Sequence, residues 1–321
     1  MRFHVTGEDL GRIRVMAEPD VSWEMLLAAH MAQSPEVPPS LRRWRAASRA
    51  RLTAPVRRLL ALAPARGYSP DFLTPAEGAE GLAPVLETVR SLPRARLRGQ
   101  LRQLDRTRRS LHWTGVLGEG GRHALTGLAE GMAAFHHSFV APYWSQIRAH
   151  VAAGHARGER ALREGGTDRL LETLHPGVTW DPPVLELTGL RFDRDVRLGG
   201  RGLRLVPSYF CWGAPTVLRD PRLPPVLVYP VARDPARLLR VDQGAGPGTG
   251  TAGGPALWEG PPAHLADVLD SLLAGRTDDA AAVLLGISSR SYSRRVRELL
   301  AELDVTTRFQ AGAAAARRGW I

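Results

Sequence analysis

Apolar residues recur at helical spacing through the first half of the chain. Between positions 21 and 33 the repeat consists of Trp23, Leu26, Leu27 and Met31, which predicts a helix that a proline cluster closes. Similar repeats predict helices over 40–63 (interrupted at Pro55), 75–91, 94–110, 122–152 and 155–174. Thr74, Pro75 and Glu77 have the spacing of a capping box, which would start the helix over 75–91.

After His175 the pattern changes to short β-type runs between prolines and glycines. The runs are Val184–Leu190, Leu203–Phe210 and Val226–Val231. Near the N-terminus, Phe3 and Val5 predict a short strand or an extended arm. We therefore predict an α+β protein, in which a helical region up to about residue 175 carries a small appended β-sheet over 184–231.

A change in composition marks a domain boundary. Residues 243–255 contain six glycines and two prolines, a composition that favours neither helix nor strand. We predict a flexible linker over 241–260. It would separate an N-terminal regulatory and dimerisation domain, residues 1–240, from an all-α C-terminal domain over 261–321.

The C-terminal domain has the layout of a helix-turn-helix. A short helix after Thr277 leads to Gly286, a residue suited to ending a helix, and a second helix spans 289–303. On a helical wheel, the apolar residues of the second helix share one face: Tyr292, Val296, Leu299, Leu300 and Leu303. Arg290, Arg294 and Arg297 lie opposite, with Ser291 and Arg295 on the flanks. This arrangement predicts one face that packs and one that offers guanidinium groups to a DNA groove.

Composition changes this interpretation only slightly. The 321-residue chain has a formal net charge of +11, and its 43 basic residues are all arginine. Residues 262–321, however, carry eight arginines and seven acidic residues, so the placement of arginine is more informative than net charge. A single cysteine, Cys211, excludes an internal disulfide and a cysteine-rich zinc site. Without a signal-peptide segment or an apolar run of about 18 residues, we expect a soluble cytoplasmic protein that makes no membrane contact.

An ungapped set of C-terminal residues carries a family resemblance. The set is Gly275, Leu285-Gly286-Ile287-Ser288, Ser291, Leu299, Leu303, Val305 and Arg308. These residues resemble the DNA-binding domain of the LuxR family of bacterial regulators, and the closing segment 308–321 resembles a subgroup common in actinobacteria. Tyr292, Arg295 and Glu302 replace the family's Val, His and Lys, and a glutamate would repel phosphate. The first helix, about 262–274, also lacks the family's opening motif.

The resemblance and the arginine face together predict a sequence-specific DNA-binding transcriptional regulator that binds double-stranded DNA as a homodimer. Major-groove contacts are expected from Arg290, Ser291, Arg294 and Arg297. Contacts to the DNA backbone are expected from Thr277, Ser288 and Arg308, and Arg295 could do either. The resemblance also implies that the last helix mediates dimerisation, as it commonly does in the family.

The N-terminal region resembles an uncharacterised actinobacterial domain that occurs joined to helix-turn-helix segments. The residues that carry this resemblance lie at 67–75, 198–203, 207–213 and 225–230. It implies a regulator that responds to an unidentified effector or protein partner. We expect no catalytic residue, cofactor or metal, because the adjacent His136 and His137 would point about 100° apart on a helix and Cys211 is expected to be buried.

Other interpretations stay open. The arginine runs at 42–58 and 90–109 are either solvated helix faces or additional contacts to the DNA backbone. The chain could instead be a nucleoid-type protein without sequence preference, or an N-terminal enzyme with a DNA-targeting tail. It could also be a protein-interaction module whose helix-turn-helix no longer binds DNA, an alternative that Glu302 supports.

Overall fold

The chain divides into two compact units. The computed structural model describes residues 1–34, 37–49, 52–65, 67–105, 112–190, 193–218, 220, 222–233, 263–273, 275–285 and 287–317. The first unit comprises Met1–Glu36 and Ser48–Ala232, and the second comprises Val37–Ala47 and Arg233–Ile321. The predicted linker at 241–260 lies outside the described residues. Both helices and strands are present, helices predominate, and the strands form two small sheets, which is compatible with the predicted α+β class.

The helices begin and end close to several of the predicted positions. In the first unit they are α1 Gly7–Gly11, α2 Val21–Gln33, α4 Ala54–Leu62, α5 Leu82–Arg90, α6 Arg94–Asp105, α7 His112–Gly118, α8 Arg122–Phe135 and α9 Trp144–Thr173. Helix α3, Pro39–Arg49, lies mostly in the second unit. The prediction of a helix over 21–33 is confirmed. Asp20 caps it by accepting hydrogen bonds from the amides of Ser22 (3.0 Å) and Trp23 (3.2 Å).

The predicted capping box at Thr74 and Glu77 is wrong. Thr74 instead ends a short 3₁₀ turn, where its hydroxyl donates to the carbonyl of Asp71 at 3.3 Å. A second 3₁₀ turn over Ala76–Ala79 follows, and α5 begins only after Gly81. Gly81 has a φ of +119°, a conformation that interrupts any helix and that only glycine adopts readily.

The predicted break near residue 153 is also misplaced. Helix α8 passes into a π-helical turn, His136–Val140, and a 3₁₀ turn, Ala141–Tyr143, before α9 begins. Gly154 remains helical inside α9, and the helix is instead kinked at Gly165 and Gly166, whose backbone is not helical. A Cβ atom at Gly154 would lie 3.0 Å from Cγ1 of Val231. This glycine therefore permits close packing and does not end the helix.

The β-strands form two sheets, whereas the sequence predicted one. The strands are β1 Arg2–His4, β2 Arg14–Val15, β3 Val178–Asp181, β4 Val184–Leu187, β5 Asp195–Arg197, β6 Arg204–Ser208, β7 Thr216–Val217 and β8 Val226–Pro230. The orders are β3-β4-β1-β5 and β2-β6-β8-β7. The predicted runs at 184, 203 and 226 correspond to β4, β6 and β8, and the predicted N-terminal strand is β1. The sequence missed β2, β3, β5 and β7, which are short or flanked by prolines.

The N-terminal residues complete both sheets. Phe3 in β1 lies opposite Leu185 in an antiparallel ladder and opposite Val196 in a parallel one. Val15 in β2 lies opposite Leu205, which in turn faces Leu227 of β8. One hydrophobic cluster contains side chains from both sheets and from α9. Residues 1–15 therefore complete the two sheets and contribute Met1, Phe3, Val5 and Ile13 to the core, so they are not an arm.

The second unit contains four helices after the undescribed segment. They are α10 Ala263–Leu273, α11 Asp278–Leu285, α12 Ser289–Glu302 and α13 Arg308–Arg317. The predicted helices at 262–274 and 289–303 are confirmed. Their core is a cluster of buried side chains from all four helices, among them Leu269, Ala282, Tyr292 and Ala311. No helix among the described residues is both long and apolar enough to cross a membrane.

Candidate nucleic-acid interface

Helix α12 is capped and strongly amphipathic. Ser288 is the N-cap, and its hydroxyl accepts a hydrogen bond from the amide of Ser291 at 3.2 Å. The apolar face predicted from the wheel is confirmed, because Tyr292, Val296, Leu299 and Leu303 are all buried. Leu300 is half-buried and packs against the same cluster. Burial of this face orients the rest of the helix toward the surface.

Arg290, Arg294 and Arg297 form an exposed row, here called the arginine ridge. Arg290 makes no ion pair or hydrogen bond with any described residue. Nε of Arg294 lies 3.7 Å from Oε1 of Glu298, and the Arg294 side chain is 68% exposed. Nε of Arg297 donates to the carbonyl of Ser293 at 3.4 Å. The ridge therefore presents three guanidinium groups to solvent with only weak internal restraint.

The flanks of the ridge also lie where the wheel placed them. Ser291 and Arg295 are half-buried, one on the first turn of α12 and one on the second. The hydroxyl of Ser288 donates to Oγ of Ser291 at 3.0 Å, so the two serines form a polar start to the helix. Arg295 has no partner among the described residues.

A glycine-ended turn positions α11. Gly275 has a φ of +65°. The amide of Gly275 donates to the carbonyl of Leu272, and the amide of Arg276 donates to the carbonyl of Ser271. These two bonds form a Schellman motif, which terminates α10. Thr277 then caps α11, since its Oγ1 accepts from the amide of Ala280 at 3.3 Å. The predicted cap is confirmed, whereas the conformation of Gly286 lies outside the described residues.

The surroundings of Thr277 are less favourable for phosphate than the sequence pattern suggested. The first turn of α11 contains Asp278 and Asp279, whose charges already complement the positive end of the helix. Oδ1 of Asp279 accepts a hydrogen bond from Ser289 at 2.7 Å, so this carboxylate lies next to the start of α12. A phosphate at Thr277 would have to approach two carboxylates.

Arg308 is engaged within the protein. Its Nη1 and Nη2 donate to Oδ1 and Oδ2 of Asp278 at 2.6 and 2.8 Å, a bidentate ion pair between α13 and α11. The hydrogen bond from Arg308 holds the pKa of Asp278 below its ordinary value. The guanidinium that was predicted to contact the DNA backbone therefore already has a carboxylate partner, and phosphate would have to compete with it.

The arginine run at 90–109 is partly neutralised by nearby acids. Arg94 and Arg98 both contact Glu119, the second at 3.2 Å, and Arg90 lies 3.5 Å from Glu87. Arg102 is exposed. Residues 106–109 of this run lie outside the described residues, as do positions 50 and 51 of the run at 42–58.

The described ionisable residues of the first unit were also compared as possible metal ligands and as pocket residues. Among the described residues, no three His, Cys, Asp or Glu side chains come together as a possible metal site. One small pocket brings Asp20, Arg96 and Arg204 together, but its volume is about 30 Å³, enough for roughly one water molecule. Burial raises the pKa of Asp20, whose Oδ2 lies 3.6 Å from Nη2 of Arg204. Cys211 is buried, as predicted.

The matched family region covers part of the first unit. Residues 106–235 are similar to DUF5937, a family of unknown function, and this range spans less than half of the chain. It includes α7 to α9 and β3 to β8, but β1 and β2, which complete both sheets, precede it. The match ends before α10 to α13. Neither the curated proteins nor the solved structures contain a match to the chain.

Proposed function

We propose that the chain is a sequence-specific DNA-binding transcriptional regulator that inserts α12 into the major groove and acts as a homodimer. The observation that carries the proposal is the arginine ridge on a capped helix whose opposite face is buried. A merely solvated helix face has no need for three arginines in one row. The major groove of B-DNA, by contrast, accepts an α-helix and presents acceptors to such a row.

In this proposal, contacts are assigned by position on α12. Arg290, Ser291, Arg294 and Arg297 face the groove, and Arg295 lies on the flank, where a phosphate strand would run. Ser288, the N-cap of α12, remains assigned to the DNA backbone. Thr277 and Arg308 are weaker candidates for backbone contacts, because Asp278 lies in the first turn of the helix that Thr277 caps and holds Arg308 in an ion pair.

Glu302 argues against DNA binding less than its sequence position suggested. At about 100° per residue, Glu302 lies roughly 120° around the helix from Arg290 and three turns further along the axis. It occupies the C-terminal end of α12, whereas the ridge starts at the N-terminal end. A recognition helix that enters a groove by its N-terminal half would hold Glu302 away from the phosphates.

The homodimer is supported by an exposed aromatic side chain on α13. Phe309 is 90% exposed, an unusual state for a phenylalanine. It borders a groove of about 450 Å³ lined by Val305, Thr306, Gln310 and Ala313 as well as Asp304. The projecting ring and the groove occur on the same surface. In a dimer with a twofold axis, Phe309 of each copy would therefore pack against the groove of the other copy.

The proposal is tested by selecting binding sites from random duplexes with the full chain. We expect a recurring motif composed of two related half-sites. The matched variants replace either the arginine ridge or Arg122, Arg160 and Arg163, three exposed arginines of the first unit, with alanine. Both sets remove the same charge, and only the first should abolish selection. Binding that depends steeply on salt but yields no motif would instead indicate a nucleoid-type protein, and absence of duplex binding would refute the proposal.

A further inference from the structure

The exposed face of α12 carries few types of polar side chain. Its exposed residues are Ser289, Arg290, Arg294, Arg297, Glu298, Ala301 and Glu302, and its half-buried polar residues are Ser291, Ser293 and Arg295. Asparagine and glutamine, the side chains that recognise adenine through two hydrogen bonds, do not occur on this helix, and asparagine is absent from the whole sequence. The polar groups available for reading bases are therefore guanidinium, hydroxyl and carboxylate.

These groups favour one base pair. A guanidinium donates two parallel hydrogen bonds to O6 and N7 of guanine, whereas adenine offers N7 beside a donor. A carboxylate accepts from N4 of cytosine, the partner of guanine, so Glu298 adds to the same preference if it reaches a base. Serine discriminates weakly, because its hydroxyl both donates and accepts.

The spacing of the arginine ridge matches the stacking of bases. Arg290, Arg294 and Arg297 lie within about 60° of one another around the helix axis. From first to last they span about 10 Å along the axis, which corresponds to roughly three base-pair steps of 3.4 Å. The three side chains can therefore face different base pairs in a window of about four.

The intramolecular contacts of the ridge leave its terminal nitrogens available. Arg294 contacts Glu298 through Nε, and Arg297 contacts the carbonyl of Ser293 through Nε. Both contacts restrain the stem of the side chain and leave Nη1 and Nη2 for a base. Arg290 has no described partner and is the least restrained of the three.

We propose that the arginine ridge reads guanine, so that each half-site contains at least two guanines within about four base pairs. This inference rests on the proposed function and refines it, since a regulator could bind DNA specifically without reading guanine. Direct recognition of A·T pairs is not expected from this helix. Any A·T preference would arise outside the ridge window, through the shape of the duplex.

The test uses the full chain and the duplex selected in the binding-site experiment. Guanines in the half-site are replaced one at a time with 7-deazaguanine, which retains Watson–Crick pairing but lacks the N7 acceptor. We expect at least two substitutions per half-site to weaken binding fivefold or more. Arg290→Ala and Arg294→Ala should each remove the effect at one guanine, because alanine supplies no donor to O6 or N7.

The possible outcomes distinguish the guanine inference from the proposal that the chain is a DNA-binding regulator. If a motif is selected but 7-deazaguanine is tolerated at every position, the guanine inference is refuted and the regulator proposal stands. The inference is also refuted if the alanine variants of Arg290 and Arg294 lower affinity equally on the selected duplex and on a scrambled one. Arg163→Ala, at an exposed arginine of the first unit, controls for the loss of one positive charge and should leave the 7-deazaguanine effects unchanged. Absence of any duplex binding would overturn both claims.

Discussion

Asp278 and Arg308 face each other across the second unit as a bidentate ion pair, with N–O distances of 2.6 and 2.8 Å. The pair connects the first turn of α11 to the first residue of α13, and the Asp278 side chain is 29% exposed. It links α13 to α11, the helix that precedes the candidate recognition helix. The same pair occupies an arginine that could otherwise contact phosphate.

Replacement of Asp278 with Asn is expected to change stability and DNA affinity in opposite directions. Loss of the carboxylate should lower the local stability of α11 to α13 by about 1 kcal/mol or less, since the pair is partly exposed. Arg308 would be released and one negative charge removed, so affinity for duplex DNA should rise. Hydrogen exchange of the three helices measures the first effect, and fluorescence anisotropy with a labelled duplex measures the second.

Asp279→Asn is the matched control for this prediction. It removes the same charge from the same turn, but Asp279 bonds to Ser289 and not to Arg308. If both variants raise affinity equally, only the charge matters and Arg308 contributes no phosphate contact. A fall in affinity for Asp278→Asn alone would mean that the ion pair holds the shape that binds DNA.

Asp304 provides a second prediction, because it is the only described residue other than glycine with a positive φ, +55°. It follows the end of α12, where the amides of Asp304 and Val305 bond to the carbonyls of Ala301 and Leu300. This is the position at which helices prefer glycine. Asp304→Gly should therefore stabilise α12 by about 0.5–1 kcal/mol, seen as slower hydrogen exchange at its C-terminal turn. Asp304→Ala should not stabilise it, and equal gains for both variants would contradict the role of backbone conformation.

The arginine ridge and the ion pair of Asp278 with Arg308 differ in how well the local sequence pattern predicts them. The arginine ridge and the buried face of α12 follow from a 3.6-residue period within one helix, and the structure confirms them. The pairing of Asp278 with Arg308 joins two helix starts thirty residues apart. No local period predicts such a contact. The sequence pattern therefore predicted a DNA contact for Arg308 and did not predict its ion pair with Asp278.

The same limit applies to the first unit. Helix α2 was predicted to the residue because its apolar spacing and its proline stop are both local signals. Strand β2 contains two residues, too few to show alternation, and β1 pairs with strands more than 180 residues away. The grouping of residues 37–47 with the second unit likewise depends on tertiary contacts. Long-range pairing therefore accounts for most of what the sequence did not predict.

Acid should destabilise the first unit through buried histidines. His175 is buried, and burial lowers its pKa to about 4; its Nδ1 accepts a hydrogen bond from the amide of Gly177 at 2.9 Å. In the unfolded chain the His175 imidazole has its ordinary pKa, near 6.5, so it binds a proton more readily there than in the folded chain. Stability should thus be complete above about pH 6.5 and fall as the pH drops toward 4, by at most about 3 kcal/mol for this residue.

Urea denaturation at pH 7.5 and pH 5 measures this effect. His175→Asn replaces Nδ1 with a neutral acceptor and should reduce the difference between the two pH values, whereas His123→Asn, at an exposed position, should not. Some dependence should persist in His175→Asn, because burial also lowers the pKa of His136 to about 4. An unchanged pH dependence in His175→Asn would show that His175 is not one of the groups responsible.

Phe309 offers the most direct test of the proposed dimer. Its ring is 90% exposed and borders the groove beside Val305 and Ala313, so it can stabilise an association only if another surface covers it. Phe309→Ser should shift the full chain from dimer to monomer in analytical ultracentrifugation. It should weaken binding to a two-half-site duplex far more than to a single half-site, because the dimer couples the two recognition helices. Val116→Ser, at a half-exposed valine of the first unit, is the matched control for loss of an exposed apolar side chain. A Phe309→Ser protein that remains dimeric and still binds both half-sites together would show that a different surface forms the dimer.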